Sequence, residues 1–287
     1  MSNSISIIIP SKNEASGLTN LLPKLNQLYP EADIILIDDG STDETLSLAD
    51  KFNVTIVSHP YNIGNGAAVK TGARTANSDI LIYMDADGQH NPEDINRLLE
   101  SIESGADMAV GARSSNSQAG KRRWMGNKLY NTIASLIVGH KIDDLTSGFR
   151  AVRATKFREF LHILPNGFSY PTTITMAFFR AGYSIKYIPI VANKRLGKSH
   201  LRLGRDGLRF LIIIFKVGTL YSPLKIFFPI SFFLFLLGAG YYLYTFIMHG
   251  RFTNMSALLF ISSLLIILIG LISEQITTLI FKDTHLK

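Results

Sequence analysis

Ile226 to Met248 runs for 23 residues without a charged side chain, and Ala257 to Ser273 adds another 17. At about 1.5 Å of rise per residue, the first run spans a hydrocarbon core of about 30 Å as a helix. The second does so if it continues past Glu274 to Phe281. The pair predicts transmembrane helices at about 226–248 and 257–281, joined by the short link "HGRFTN". Lys194, Arg195, Lys198, Arg202, Arg205, Arg209, Lys216 and Lys225 precede the first run, whereas the link carries only Arg251. The positive-inside rule therefore places both the long N-terminal part and the C-terminal tail in the cytoplasm. Glu274 falls near the cytoplasmic end, where it reaches the interface or pairs with a basic side chain. The start, "MSNSISIIIPSKNE", lacks the basic and apolar regions of a signal peptide.

Charge is divided along the chain. Residues 1–120 hold 7 Lys and Arg against 16 Asp and Glu, whereas residues 121–225 hold 19 against 4. A basic middle suits phosphates or an anionic surface. Nucleic acid would satisfy the same charge, but the two apolar runs decide for lipid, and no nucleic-acid partner is expected. Residues 201–225, with Arg202, Arg205 and Arg209 at helical spacing before a short apolar run, predict an amphipathic helix in the headgroup plane. "RRWMGNKLYNTIASLIVG" (122–139) reads equally as an interfacial or a core helix. There are no cysteines, which excludes disulfides and thiolate chemistry.

Residues 1–120 alternate strand and helix patterns. Apolar runs at Ile5–Ile9, Ile34–Ile37, Val54–Val57, Ile80–Met84 and Met108–Val110 predict buried strands. A capping box at Ser41 and Glu44, the stretch after Gly64 and the stretch after Pro92 predict helices. This order implies a mostly parallel sheet covered on both faces, with ligands at the carboxyl ends of its strands. "PSKNE" (10–14), "DDGSTD" (38–43) and "DADGQH" (85–90) all follow strand ends and should share that edge. A dinucleotide fingerprint is rejected, because "NIGNGAAVKTG" has Val69 at its third position. Gly64 and Gly66 instead suit close approach of backbone N–H groups to a nucleotide at a helix N-terminus.

Asp85, Asp87 and Gln89 alternate after an apolar strand, so in an extended chain their oxygens converge. Two neighbouring carboxylates repel unless a cation lies between them, and oxygen donors suit Mg²⁺ or Mn²⁺. A plain helix start at Asn91 and Pro92 explains residues 91–94 but not those three.

"IIPSKNE", "LIDDGSTDET", "NIGNGAAVKTG", "YMDADGQH", "VGARS", "DDLTSGFR" and "KRLGKSH" occur in the order of the family 2 glycosyltransferases. Over roughly residues 5–200 the chain most resembles dolichol-phosphate mannose synthases and bacterial polyprenyl-phosphate glycosyltransferases. The resemblance implies an α/β GT-A (Rossmann-like) domain at 1–200, the juxtamembrane helix at 201–225 and a membrane domain at 226–287. It implies inverting transfer of a hexose from a nucleotide-sugar, UDP-glucose or GDP-mannose, to undecaprenyl or dolichyl phosphate in a bacterial inner membrane. Homo-oligomers through the membrane helices are a further expectation.

By the same resemblance Pro10, Glu14 and Asp39 hold the base, Asp39 accepting from a ring N–H, and Gly66 and Lys70 lie beside the nucleotide. Asp85 faces ribose and metal, while Asp87, the first catalytic residue, and Gln89 ligate the cation bridging the diphosphate. Arg113, Arg122 and Arg123 face the lipid phosphate. Arg195 belongs to a segment closing over the diphosphate, which here has His200 where a lysine is usual and Lys198 two positions earlier. Asp144 is the second catalytic residue, by proton transfer or by positioning an arginine. A processive polysaccharide synthase would carry Q-x-x-R-W, but Gly120 stands where its glutamine would fall. A non-catalytic nucleotide-sugar binder would be expected to have lost an acid of D-x-D.

Overall fold

The computed structural model describes residues 3–113, 121–167, 169–192 and 221–282, together with 212, 215, 216, 218 and 219. Arg195, Lys198 and the expected helix at 201–225 before Tyr221 therefore lie largely or wholly outside the described residues. The chain divides into two compact units, Met1–Thr132 with His140–Leu208 and Ile133–Gly139 with Arg209–Lys287.

The first unit is built on a seven-stranded sheet. Its strands are β1 (Ile5–Ser11), β2 (Asp33–Asp38), β3 (Thr55–Ser58), β4 (Ile80–Tyr83), β5 (Met108–Arg113), β6 (Arg150–Arg153) and β7 (Ile185–Ile190). They lie in the order β3-β2-β1-β4-β6-β5-β7. β6 alone runs antiparallel to its neighbours, β4 and β5. Ile7, Ile8 and Ile9 are all fully buried. β1 is covered on both faces, which is why it reads as a continuous apolar run rather than an alternating one.

Helices α1 (Ala15–Leu28), α2 (Thr45–Ala49), α3 (Asn65–Thr75) and α4 (Asp94–Glu103) connect the first five strands. Leu18, Leu22 and Leu25 of α1 and Ile95, Leu98 and Ile102 of α4 join Ile7, Ile9, Ile34, Leu36, Ile80 and Ile82 in one core. α3 covers the other face, and any side chain at Gly72 would meet Ile8. Arg158 closes the far end of α3, its Nε donating to Ala73 O (2.9 Å) and a terminal nitrogen to Ala76 O (2.6 Å). That is a favoured place for a cation, at a helix C-terminus. α5 (Lys121–Val138), α6 (Ala154–Arg158) and α7 (Tyr170–Arg180) complete the described helices up to β7.

Three features differ from the sequence expectation. β6 was not expected, because "RAVR" is four residues bounded by charge. β7, "IKYIPI", carries Lys186 and Pro189, residues tolerated because it is an edge strand. The Ser41 capping box does not form. α2 starts at Thr45, and Asp43 supplies the acceptor for the Thr45 N–H (3.0 Å), because Ser41 is drawn back to Asp38 and Asn13.

In the second unit, α8 (Pro223–His249) and α9 (Asn254–Lys282) form an antiparallel hairpin, and both are long and apolar enough to cross a membrane. Ser231 Oγ donates to Ser263 O (2.8 Å) and Ser263 Oγ to Ser231 O (2.9 Å), a reciprocal pair buried between the helices. Gly238 lies against Leu259 and Phe260, and Gly270 against Phe227. Small residues at the seam let the helices approach closely, as packing within lipid requires. Glu274 accepts from the Leu224 N–H (3.4 Å), satisfying a donor in the first turn of α8.

Candidate active site

The carboxyl ends of β1, β2 and β4 deliver their loops to one edge of the sheet. Asn13 adopts a left-handed conformation (φ 54°) that lets its backbone N–H reach Ser41 Oγ (2.9 Å) while its Oδ1 accepts from the Thr42 N–H (2.8 Å). Asp39 N–H donates to Ser11 O (2.9 Å), and Glu14 N–H to Thr45 Oγ1 (3.2 Å). Pro10 sits in β1 opposite Ile37, and Glu14 precedes α1, its carbonyl accepting from Gly17 and Leu18.

After Tyr83 the chain leaves β4 and turns instead of continuing extended, with Gly88 at φ 73° and the Gln89 N–H donating to Asp87 Oδ1 (3.1 Å). The alternation that suggested convergence along a strand is thus corrected: Asp85, Asp87 and Gln89 share a tight turn. The Asp85 side chain is 38% exposed, and Asp87 is buried. Gly17 lies directly beneath this turn, where any Cβ would collide with Ala86 O. Gly17→Ala is therefore expected to destabilise the protein by about 1–3 kcal/mol, as overpacking does, and to displace the turn. Thermal melting and transfer rates check this; an unchanged melting temperature would refute it.

Asp85 opens on a cavity of about 130 Å³ whose walls include Asn65, Thr146, Gly148, Ser169 and Tyr170. A Cβ at Gly148 would stand 2.9 Å from Asp85 Oδ2, so glycine there keeps the carboxylate clear. Among the described residues no three His, Asp or Glu side chains form a self-sufficient metal cage. A partly exposed carboxylate beside a buried one does fit Mg²⁺ or Mn²⁺, which take one or two protein carboxylates and complete their shells with substrate phosphates and water. His90 closes the turn, stacked on Phe149 (ring centroids 4.9 Å) with Nε2 3.9 Å from Asp85 Oδ2. Burial pushes its imidazole down to about 4, so it is neutral near pH 7.

Asp39 has a different partner set from the one expected. Its Oδ1 accepts from His59 Nδ1 (2.8 Å) and the Ile63 N–H (2.8 Å), and its Oδ2 from the Gly64 N–H (2.9 Å). With its amide oriented by its neighbours, Asn62 donates to Asp39 and accepts from Lys12 Nζ, each at 2.6 Å. Asp39 thereby anchors its own 59–64 loop. His59 extends the chain, its Nε2 lying 2.9 Å from Thr71 Oγ1 on α3.

The start of α3 is likewise covered by protein. Gly66 N–H donates to Gly167 O (3.3 Å) and Ala67 N–H to Asn166 O (2.8 Å), and a Cβ at Gly66 would meet Pro165 O. Lys70 Nζ donates to Leu164 O (3.1 Å) and to Asn166 Oδ1. The close approach that glycine allows at this helix end is made by residues 165–167, and Asn65 and Gly167 both line the cavity beside Asp85.

Arg113 and Asp144 form a two-pronged pair, Nε to Oδ2 (2.8 Å) and a terminal nitrogen to Oδ1 (3.0 Å), with Thr146 Oγ1 2.6 Å from the same nitrogen. Asp144 also accepts from the backbone of Arg113 (3.3 Å) and Thr146 (3.1 Å). Burial alone would raise the Asp144 carboxyl, but the hydrogen bonds and charge of Arg113 outweigh it and hold it below the ordinary range. Asp144 thus anchors Arg113 with its carboxyl held toward the ionised form. Arg122 and Arg123 begin α5, but their side chains, like Arg195 and Lys198, lie outside the described residues.

Sequence reasoning missed His59, Asn62, Arg150 and the walls at 165–167 and 169–172. His90 stood inside the quoted "YMDADGQH", and that pattern was the available signal for it.

An acidic turn at the carboxyl edge of a mostly parallel sheet, with one reversed strand beside it, defines a GT-A glycosyltransferase domain. The chain belongs to Glycosyl transferase family 2, matched over residues 6–161, and residues 222–279 match the GtrB C-terminal hairpin. It is 32% identical to the polyprenol monophosphomannose synthase of Mycolicibacterium smegmatis over 215 residues, covering 68% of this chain and 80% of that one. It is 32% identical to the undecaprenyl-phosphate mannosyltransferase of Micrococcus luteus over 217 residues, covering 70% and 88%. Its fold is similar to glucosyl-3-phosphoglycerate synthase from Mycobacterium tuberculosis, crystallised with Mn²⁺ and UDP-glucose (TM-score 0.62, 20% identity, 76% of this chain and 79% of that one).

Proposed function

We propose that this enzyme transfers a hexose from a nucleotide-sugar to a membrane polyprenyl phosphate, undecaprenyl or dolichyl, with inversion. The observation that carries the reading is the Asp85–Asp87 turn, opening on a cavity at the carboxyl edge and backed by the Arg113–Asp144 pair. The names of the relatives and the matched C-terminal hairpin support the lipid acceptor.

In the reaction an acceptor phosphate oxygen forms a bond to the anomeric carbon as the bond from that carbon to the diphosphate breaks, and the nucleoside diphosphate leaves. Asp85, Asp87 and Gln89 would hold a Mg²⁺ or Mn²⁺, which would supply positive charge to the departing diphosphate. Asp87 is fixed by the Gln89 N–H, and Gly17 holds the turn in place. Arg113, steered by Asp144, offers its charge to the acceptor phosphate together with Arg122 and Arg123. A phosphate monoester is largely a dianion at neutral pH, so no strong base is required of Asp144. Pro10, Glu14 and the loop anchored by Asp39 border the base; Lys70, Arg195 and Lys198 serve the nucleotide and lipid phosphates. UDP-glucose and GDP-mannose are the candidate donors, and both relatives above are named for mannose. The positive-inside pattern assigns the catalytic domain and C-terminal tail to the cytoplasm.

The test is purified full-length protein with Mn²⁺ or Mg²⁺, undecaprenyl or dolichyl phosphate and a panel of radiolabelled nucleotide-sugars. One donor is expected to give a lipid-extractable, negatively charged product. Polymer, or donor hydrolysis without glycolipid, would overturn the reading.

A further inference from the structure

Arg150 is completely buried, the largest side chain so enclosed. Its acceptors among the described residues are all neutral: Ser147 O, Thr175 Oγ1 (3.3 Å), Pro171 O (3.5 Å) and Met108 Sδ (3.6 Å). Its Nε has no acceptor among the described residues. The sheet register places Tyr83 beside it on β4 and, across Val110 of β5, Tyr187 on β7, so all share one face. The guanidinium also lies over the Tyr170 ring, 5.7 Å from its centre. Asp144 acts on it only through its field and is itself paired with Arg113; burying a cation whose direct partners are all neutral is costly, so this arrangement requires a reason.

The contacts point to one. Ser147 lies between Thr146 and Gly148, which line the Asp85 cavity, and Tyr170 and Pro171 line the same cavity. Arg150 thus ties together two segments that both line that cavity, one just before it in the chain and one 21 residues after it. We propose that Arg150 is a positioning residue for transfer: its fork holds the 146–148 and 170–172 walls in place, and its buried charge, hydrogen-bonded only to neutral acceptors among the described residues, favours the state in which an anionic diphosphate occupies the adjoining site. The proposal rests on the glycosyl-transfer reading. It makes the substrate anion a further counter-charge, beyond the influence of Asp144, which is itself paired with Arg113.

The experiment compares wild type, Arg150→Met and Arg150→Lys as full-length protein. UDP or GDP with Mn²⁺ is titrated against thermal stability, and kcat and KM are measured separately. Without nucleotide, Arg150→Met is expected to melt at or above the wild-type temperature, because an unpaired buried charge has been removed. Its affinity for the nucleoside diphosphate is expected to fall about tenfold, equivalent to about 1.4 kcal/mol. Arg150→Lys keeps the charge but not the fork, and should bind nucleotide within about threefold of wild type while kcat remains lowered. A methionine variant that binds nucleotide as wild type does would overturn the proposal. Unfolding of both variants would also overturn it, by making Arg150 a strut. Wild type that shows no nucleotide-dependent shift would instead sink the glycosyl-transfer reading and this proposal with it.

Discussion

Asp87→Ala is expected to lower glycosyl transfer by about 10²–10³-fold, the loss typical when one preorganised partner of a developing charge is removed. Asp87 is buried, and its Oδ1 is held by the Gln89 N–H, so its position is fixed before substrate arrives. Asp87→Asn separates shape from charge. It preserves the acceptor for Gln89 but not the carboxylate that would face a divalent cation, and it should lose nearly as much activity as alanine. Both variants should melt close to wild type. Initial rates of glycolipid formation across a Mn²⁺ titration are the measurement. Asparagine within about threefold of wild type would mean that the turn's architecture, not its charge, is what matters.

The second large effect is on stability. Asp144→Ala leaves the Arg113 guanidinium, whose side chain is 25% exposed, without the carboxylate that holds it. Breaking a buried ion pair from one side typically costs about 3–5 kcal/mol, more than a surface pair by several-fold. The sign of the pH dependence follows from the lowered Asp144 carboxyl. Its contribution is present above the unfolded-state value of about 3.9 and is lost as pH falls through the folded value below it. The stability gap between wild type and Asp144→Asn should therefore be widest near neutrality and close progressively below about pH 4. Denaturant melts at several pH values check this. A gap that widened on acidification would show that Asp144 is protonated in the fold. Activity should fall with either substitution, because Arg113 is no longer aimed; a proton-transfer role would instead shift the pH optimum of the residual rate.

How much was legible beforehand varies with the kind of interaction. β1, β2 and β4 were evident because their apolar runs record two-sided burial, and the shared edge followed from the order of strands and helices. α3 was evident from Gly64 onward. What the chain does not write down is who binds whom. Asp39 looks like an exposed acceptor in "DDGST", yet its oxygens are taken by residues 59–64, about twenty positions away. Gly66 announces a close approach without saying that residues 165–167 make it. Arg150 reads as the last letter of "SGFR", and nothing local reveals that it is enclosed. The extended geometry imagined for Asp85 to Gln89 failed because Gly88 permits a positive φ, which turns the backbone where a strand would have continued.

The reversed direction of β6 has a consequence for modularity. Its chain enters at the carboxyl edge and departs at the far side, so the segment just before it, with Thr146 and Gly148, reaches that edge. Insertions in that segment leave the pairing of β1 with β2 and β4 untouched, yet they bear directly on the acidic turn, because Asp144 holds Arg113 and Gly148 borders Asp85.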